Sequence, residues 1–161
     1  MPYHIRLIEP RDDARVEALI RSNLVEFGCN LPGTAWEDPD LGCFSRVYDR
    51  PNRRYWVAED DKGFVVAGVG IGELPGAPGV CELQKMYSEP AVRGSGVASL
   101  LMDRALAFAA EHYDRCYLET FSIMTRAQRF YEKFGFVRLG KPLIETEHYA
   151  CDVWYIRDLS Y

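Results

Sequence analysis

ELQKMYSEPAVRGSGVASLLMDRALAF, residues 82–108, is the stretch from which the rest of this chain is read. Cys81 to Tyr87 has the length and mixed polarity of a strand, and Pro90 ends it because proline cannot donate to a ladder. Arg93-Gly94-Ser95-Gly96-Val97-Ala98 follows at once. Apolar residues then recur at Val97, Leu101, Ala105 and Phe108, with Ala98, Met102, Leu106 and Ala109 as a second row. That is helical spacing with a broad buried stripe. A glycine loop that opens a helix leaves backbone N–H groups free beside the positive end of the helix dipole, with no side chain to hold an anion away. Such a loop is a cradle for phosphate.

Two familiar cradles are excluded by their residues. A P-loop closes on Gly-Lys-Ser/Thr, and here Gly96 is followed by Val97. A dinucleotide fingerprint needs a third glycine where Ser99 stands, and the other glycine run, Gly68-Val69-Gly70-Ile71-Gly72, lies inside a strand-like segment and opens no helix. Working outward, Thr125 to Gly135, TRAQRFYEKFG, has apolar positions at Ala127, Phe130, Tyr131 and Phe134, and Gly135 stands where a helix C-cap takes a left-handed residue.

Together these blocks resemble the GNAT N-acetyltransferase superfamily. Arg93-x-x-Gly96-x-Ala98 is similar to its acetyl-coenzyme A signature, Gln/Arg-x-x-Gly-x-Gly/Ala. Tyr131-Glu132-Lys133-x-Gly135-Phe136, about 35 residues further on, looks like its closing helix. The motifs anchor the resemblance from Cys81 to Phe136. It implies the α/β GNAT (acyl-CoA N-acyltransferase) fold: a mixed sheet of about seven strands, splayed between the fourth and fifth, with about four helices around it. The pantetheine arm of the cofactor lies in that gap.

Length and composition set the outer bounds. At 161 residues, 48% apolar and 27% charged, residues 1–161 read as one domain with enough chain to bury a core. No run reaches the ~18 apolar residues of a membrane span. MPYHIRLIEP lacks the basic start and apolar middle of a signal peptide, so a cytoplasmic protein is expected, without membrane contact. Five cysteines contain no C-x-x-C pair and read as reduced, mostly buried thiols. His4, His112 and His148 are too scattered to suggest a metal. A net charge of −5 argues against nucleic acid.

In chain order, Tyr3 to Ile8 reads as a strand, and Pro10-Arg11-Asp12-Asp13 starts a helix with the stripe Val16, Leu19, Ile20, Leu24 and Phe27, ended by Gly28. Asn30 to Asp49 is turn-rich and aromatic, with a short helix expected near Leu41 to Tyr48. Arg53 to Asp60 and Phe64 to Leu74 are strands joined by an Asp61-Lys62-Gly63 turn. Arg115 to Phe121 is a strand, Met124 to Phe134 a helix, and Phe136 to Leu139 and Cys151 to Leu159 close the sheet.

Acetyl transfer from a thioester to an amine has three needs: removal of a proton from the amine, stabilisation of the carbonyl oxygen, and protonation of the leaving thiolate. By resemblance, backbone N–H groups of Met86 and Ser88, flanking Tyr87, serve the carbonyl and the pantetheine. Those of Gly94, Ser95, Gly96, Val97 and Ala98 hold the diphosphate, with Arg93 either bonding the phosphate or bracing the loop. Tyr131 falls on the core-facing stripe by its periodicity; the motif match makes it the candidate general acid and a cofactor contact. Glu82, four residues before Met86, is the candidate general base, against the alternative of an ion-paired strand glutamate, and Glu119 is its rival. Strand alternation puts Glu82, Gln84 and Met86 on one face and Lys85 and Tyr87 on the other unless a bulge intervenes. Ala127 and Met124 belong to the last cofactor segment. Many relatives carry Asn at the position of Met124, so that contact is missing or replaced. Glu26, Trp36, Tyr48, Glu119 and His148, with Trp154, are candidates to wall the acceptor pocket.

The expected reaction is acetyl-CoA-dependent N-acetylation of a small amine or amino-acid-like acceptor by direct transfer. The alternatives are a protein or peptide acceptor, for which the aromatic Asn30–Asp49 loop leaves little groove, and a non-catalytic acyl-CoA sensor. Many members of the fold pair through terminal strands, and Val153 to Ile156 is apolar enough for a homodimer contact.

Overall fold

The computed structural model describes residues 2–160. Its seven strands are β1 (His4–Leu7), β2 (Arg54–Glu59), β3 (Val65–Glu73), β4 (Val80–Ser88), β5 (Arg115–Thr120), β6 (Val137–Leu139) and β7 (Val153–Asp158), in one sheet of order β1-β2-β3-β4-β5-β7-β6. Only β4 and β5 run parallel; the other neighbours are antiparallel. The helices are α1 (Asp13–Glu26), a single turn α2 (Phe44–Val47), α3 (Val97–His112) and α4 (Thr125–Lys133). The elements fall within a residue or two of the sequence reading, except that the short helix expected over Leu41 to Tyr48 shrinks to Phe44–Val47.

Helices on both faces bury the central strands on both sides, which is why β2 and β3 read as nearly continuous apolar runs. Along β2, Trp56 and Ala58 join Val69, Ile71, Leu101, Met102 and Ala105 in a core under α3. Tyr55 and Val57 point the other way, to Val16, Ile20, Leu24, Phe44 and Tyr48 under α1 and α2. The glycines of β3 shape this second layer. A methyl group on Gly68 would meet the Tyr55 ring at 2.7 Å, and one on Gly70 would meet Tyr55 at 2.8 Å and Tyr48 at 2.9 Å. The run Gly68-Val69-Gly70 is therefore a slot for two aromatic rings whose centroids lie 5.2 Å apart.

All five cysteines are free thiols, with Cys29, Cys81 and Cys116 buried and Cys43 and Cys151 partly so. Val153 to Ile156, the apolar segment named as a possible homodimer contact, lies in β7. β7 is an inner strand, bonded to β5 on one side and β6 on the other, so it offers no free edge. Among the described residues, no helix is long and apolar enough to cross a membrane.

Candidate active site

β4 and β5 pair only at Val80↔Arg115, Cys81↔Cys116 and Glu82↔Tyr117. Beyond Glu82 each stays with its outer neighbour: β4 follows β3 as far as Ser88, and β5 follows β7 as far as Thr120. A wedge opens between them. Glu89 N–H donates to the Val66 carbonyl at 2.8 Å, toward β3. Two-residue alternation therefore turns the backbone of Met86 and Ser88 the other way, to the side that β5 has left.

A bulge inside β4 decides which side chains enter this wedge. Gly68 pairs with Tyr87 but Gly70 with Gln84, so Lys85 and Met86 stand opposite the single residue Val69. Lys85 takes φ +51°, a left-handed conformation costly for a residue with a Cβ. The Tyr55 hydroxyl, lying over Gly68, donates to the Lys85 carbonyl at 2.8 Å and holds the turn. The simple alternation is therefore overturned. Met86 packs with the α3 core, whereas Lys85 and Tyr87 share the other face with Glu82 and Gln84.

The cleft so formed is lined by Glu82, Gln84, Lys85, Met86 and Tyr87 from β4, by Glu119 and Thr120 from β5, and by Met124, Tyr131, His148, Cys151 and Ala35 around the rim. Burial raises the Glu82 carboxyl above its ordinary range. The Gln84 amide opposes this by donating to Glu82 Oε1 at 2.8 Å, and the charge of Glu119 adds to the rise. Gln84 is itself fixed by the Tyr48 hydroxyl, which donates to its Oε1 at 2.7 Å. Glu119 accepts from Tyr117 at 3.0 Å and from Thr146 at 2.5 Å. Neither Glu82 nor Glu119 is in an ion pair with a described residue.

Tyr131 is set by the end of its helix. Phe136 N–H bonds the Tyr131 carbonyl at 3.1 Å and Gly135 N–H that of Glu132 at 3.1 Å, with the Tyr131 and Phe136 rings in contact at 6.1 Å. This is a Schellman cap closed by Gly135 at φ +87°, the physical content of the Tyr-Glu-Lys-x-Gly-Phe pattern. The Tyr131 hydroxyl has no hydrogen bond to a described residue, and burial, with Cys151 and Tyr155 nearby, pushes its pKa up to about 12. Cys151 is likewise pushed up to about 12 by burial, so its thiol stays protonated and inert. Met124 caps α4 and meets the Thr120 hydroxyl at 3.9 Å through its sulfur, and Ala127 lies half-buried one turn on.

Below the wedge, Gly96 takes φ +92° as the residue capping α3. The N–H groups of Gly94, Gly96, Val97 and Ala98 have no backbone acceptor in this turn, as a helix start requires. Ser95 departs from expectation: its N–H closes on the Val92 carbonyl at 3.2 Å, and its hydroxyl on the same oxygen at 2.5 Å, so it shapes the loop and is not free to donate. Arg93 braces. Its guanidinium bonds Glu26 at 2.6 and 2.9 Å and Asn23 at 2.8 Å, while Asn23 also donates to the Ser88 carbonyl at 3.1 Å.

Of the acceptor-wall candidates, His148 and Glu119 line the cleft. Four others lie elsewhere. Glu26 is spent on Arg93, and Trp36 lies under the Arg21 guanidinium at 4.8 Å. Tyr48 is buried behind Gln84, and Trp154 packs beside Leu74, Val80 and Tyr117. Asp38, Lys85, Gln84 and Thr146 were not singled out by the sequence reading. Asp38 receives Lys85 Nζ at 2.7 Å and His148 Nε2 at 3.0 Å, joining segments far apart in the chain, so no local pattern announces the cluster. Burial opposes ionisation of Asp38, but the His148 bond and the Lys85 charge outweigh it and hold the carboxyl below its ordinary range.

A sheet opened between two parallel strands, with an uncommitted glycine turn beneath the gap and a carboxylate and a phenol inside it, defines an acyl-CoA-dependent acyltransferase. The chain belongs to the acetyltransferase (GNAT) family, whose model matches residues 18–136. It is 38% identical over 158 residues to the uncharacterized N-acetyltransferase YjgM of Escherichia coli K12, covering 96% of this chain and 94% of that one. A GNAT-family acetyltransferase from Staphylococcus aureus Mu50 superimposes with a TM-score of 0.86 at 21% identity, over 99% of this chain and 100% of that one. The PaiA N-acetyltransferase from Thermoplasma acidophilum, solved in complex with coenzyme A, does so with a TM-score of 0.74 at 13% identity, over 98% and 99%. The protein is an acetyl-CoA-dependent N-acetyltransferase.

Proposed function

We propose that the acceptor is the primary amine of a small molecule or amino-acid-like compound, acetylated by direct transfer within the wedge. The observation that carries this reading is the closure of the cleft by two loops. Ala150 N–H bonds the Gly33 carbonyl at 3.0 Å and His148 bonds Asp38, so the segments before α2 and before β7 are tied together where Ala35 and His148 line the pocket, which favours a small acceptor over an extended polypeptide.

When bound, acetyl-CoA supplies the activated acetyl thioester. Toward it the chain offers the N–H groups of Gly94, Gly96, Val97 and Ala98 for the diphosphate and the wedge-facing backbone of Met86 and Ser88 for the pantetheine and carbonyl. Glu82 is the base. Its raised affinity for a proton makes it a better acceptor for an ammonium proton than an exposed carboxylate, directly or through one water. Tyr131 is the acid: at about 12 it keeps its proton throughout the neutral range and can release it only to a thiolate as one forms.

The test is release of free thiol from acetyl-CoA over a panel of small amines, amino acids and peptides. Turnover confined to small acceptors is expected. Peptides acetylated as fast as small amines would replace this reading with a protein acceptor. Tyr131→Phe is expected to lower kcat roughly a hundredfold or more with acetyl-CoA affinity kept, and unchanged turnover would remove Tyr131 from the mechanism.

A further inference from the structure

We propose that Lys85 is the seat of a carboxylate on the acceptor, so that the substrate class is α-amino acids or small amines with a carboxylate close to the reacting nitrogen. This rests on the small-amine reading above. Among the described residues, Lys85 and His148 are the only basic side chains lining the cleft. The Lys85 side chain is 11% exposed and has one partner among the described residues, Asp38 at 2.7 Å. An ammonium has three donors, and the other two have no acceptor among the described residues. A buried cation with donors unspent is costly, and the backbone beneath it is held in a left-handed turn to keep it there. Both costs make sense if an anion completes the shell.

The charges across the cleft match a zwitterion. Asp38 is shared by Lys85 and by His148, so with the ammonium charged that cluster is never net negative. Glu82 and Glu119 line the same cleft with no ion-pair partner among the described residues, near enough for the charges of Lys85 and His148 to act on Glu82. An amino acid laid between that cluster and Glu82 puts its ammonium toward the base that must deprotonate it and its carboxylate toward Lys85. A polyamine would bring a second cation beside the Lys85 ammonium.

The experiment compares kcat/KM for each of several L-amino acids with its amide and with the decarboxylated amine, first with the unaltered enzyme. The amino acids are expected to lead by roughly ten- to hundredfold, the range of one charge-assisted hydrogen bond. Lys85→Met is expected to cost the amino acids about that factor more than it costs the amines, mainly as a rise in KM, and Lys85→Arg to restore part of the difference. Amines that serve as well as or better than amino acids in the unaltered enzyme would overturn the seat and leave the small-amine transferase standing. An equal loss for both classes in Lys85→Met would reduce Lys85 to a pin for the Asp38 loop. Turnover with no small amine at all would remove the reading beneath it, and the seat with it.

Discussion

As the proposed base, Glu82 depends on a proton affinity set by its surroundings. Burial and the charge of Glu119 raise it, and Gln84, locked by Tyr48, supplies a hydrogen bond that orients the carboxylate. A base must be ionised, so kcat/KM is expected to fall as pH drops through this raised value, with the acidic limb above the ordinary carboxylate range. Glu82→Gln should lose roughly 10²- to 10⁴-fold in kcat and that limb with it. The stability effect runs the other way. A carboxyl raised in the folded state favours folding while protonated, and that contribution is lost as pH rises through the folded value. Glu82→Gln is therefore expected to melt higher than the parent at neutral pH, with the difference vanishing below the ordinary glutamate range. Melting curves across that span check the sign, and a difference that grows on acidification would contradict it.

At the level of elements, β4 is organised by its neighbour β3. Gly68 and Gly70 lack the Cβ atoms that would strike Tyr55 and Tyr48. Tyr55 reaches the Lys85 carbonyl, and the bulge that results sends Lys85 and Tyr87 into the cleft and Met86 into the core. Tyr55→Phe removes that one bond from a buried carbonyl. It is expected to destabilise the fold by about 1–3 kcal/mol and to raise KM for the acceptor more than it weakens acetyl-CoA, whose proposed diphosphate cradle at the α3 turn lies outside the bulge. Titration with acetyl-CoA alongside acceptor kinetics separates the two. The bulge was not legible beforehand, because Lys85 and Met86 carry no bulge signature of their own and the cause sits on another strand. The cap at Gly135 was legible, since a Schellman motif is built from residues contiguous in sequence.

For the whole molecule, the proposed cofactor seat draws on three elements: the turn at α3, the end of β4, and α1, which ties them through Asn23, Glu26 and Arg93. A ligand that binds only the assembled form stabilises it by mass action. Acetyl-CoA at about a hundred times its Kd is expected to raise Tm by roughly 5–10 °C. Gly96→Val, which forces a side chain onto a φ of +92°, should lose most of that shift. A full shift in the variant would show that the turn at α3 is not the cradle.

What this chain's sequence determined by itself is whatever depends on neighbours in the chain: the glycine turn before α3, the apolar stripes, the capped helix carrying Tyr131, and Glu82 as a strand carboxylate beside the motif. Those patterns were enough to resemble GNAT, and the family match bears that out. Only the tertiary structure decided which faces met. Arg93 and Glu26 found each other, Tyr48 and Trp36 went to the layer behind the cleft, and Asp38, Lys85 and His148 assembled from three segments with no common pattern. The physical reason is the same in each case. Hydrogen-bonded turns and helical stripes are written locally, whereas ion pairs and strand register form only where distant segments pack together.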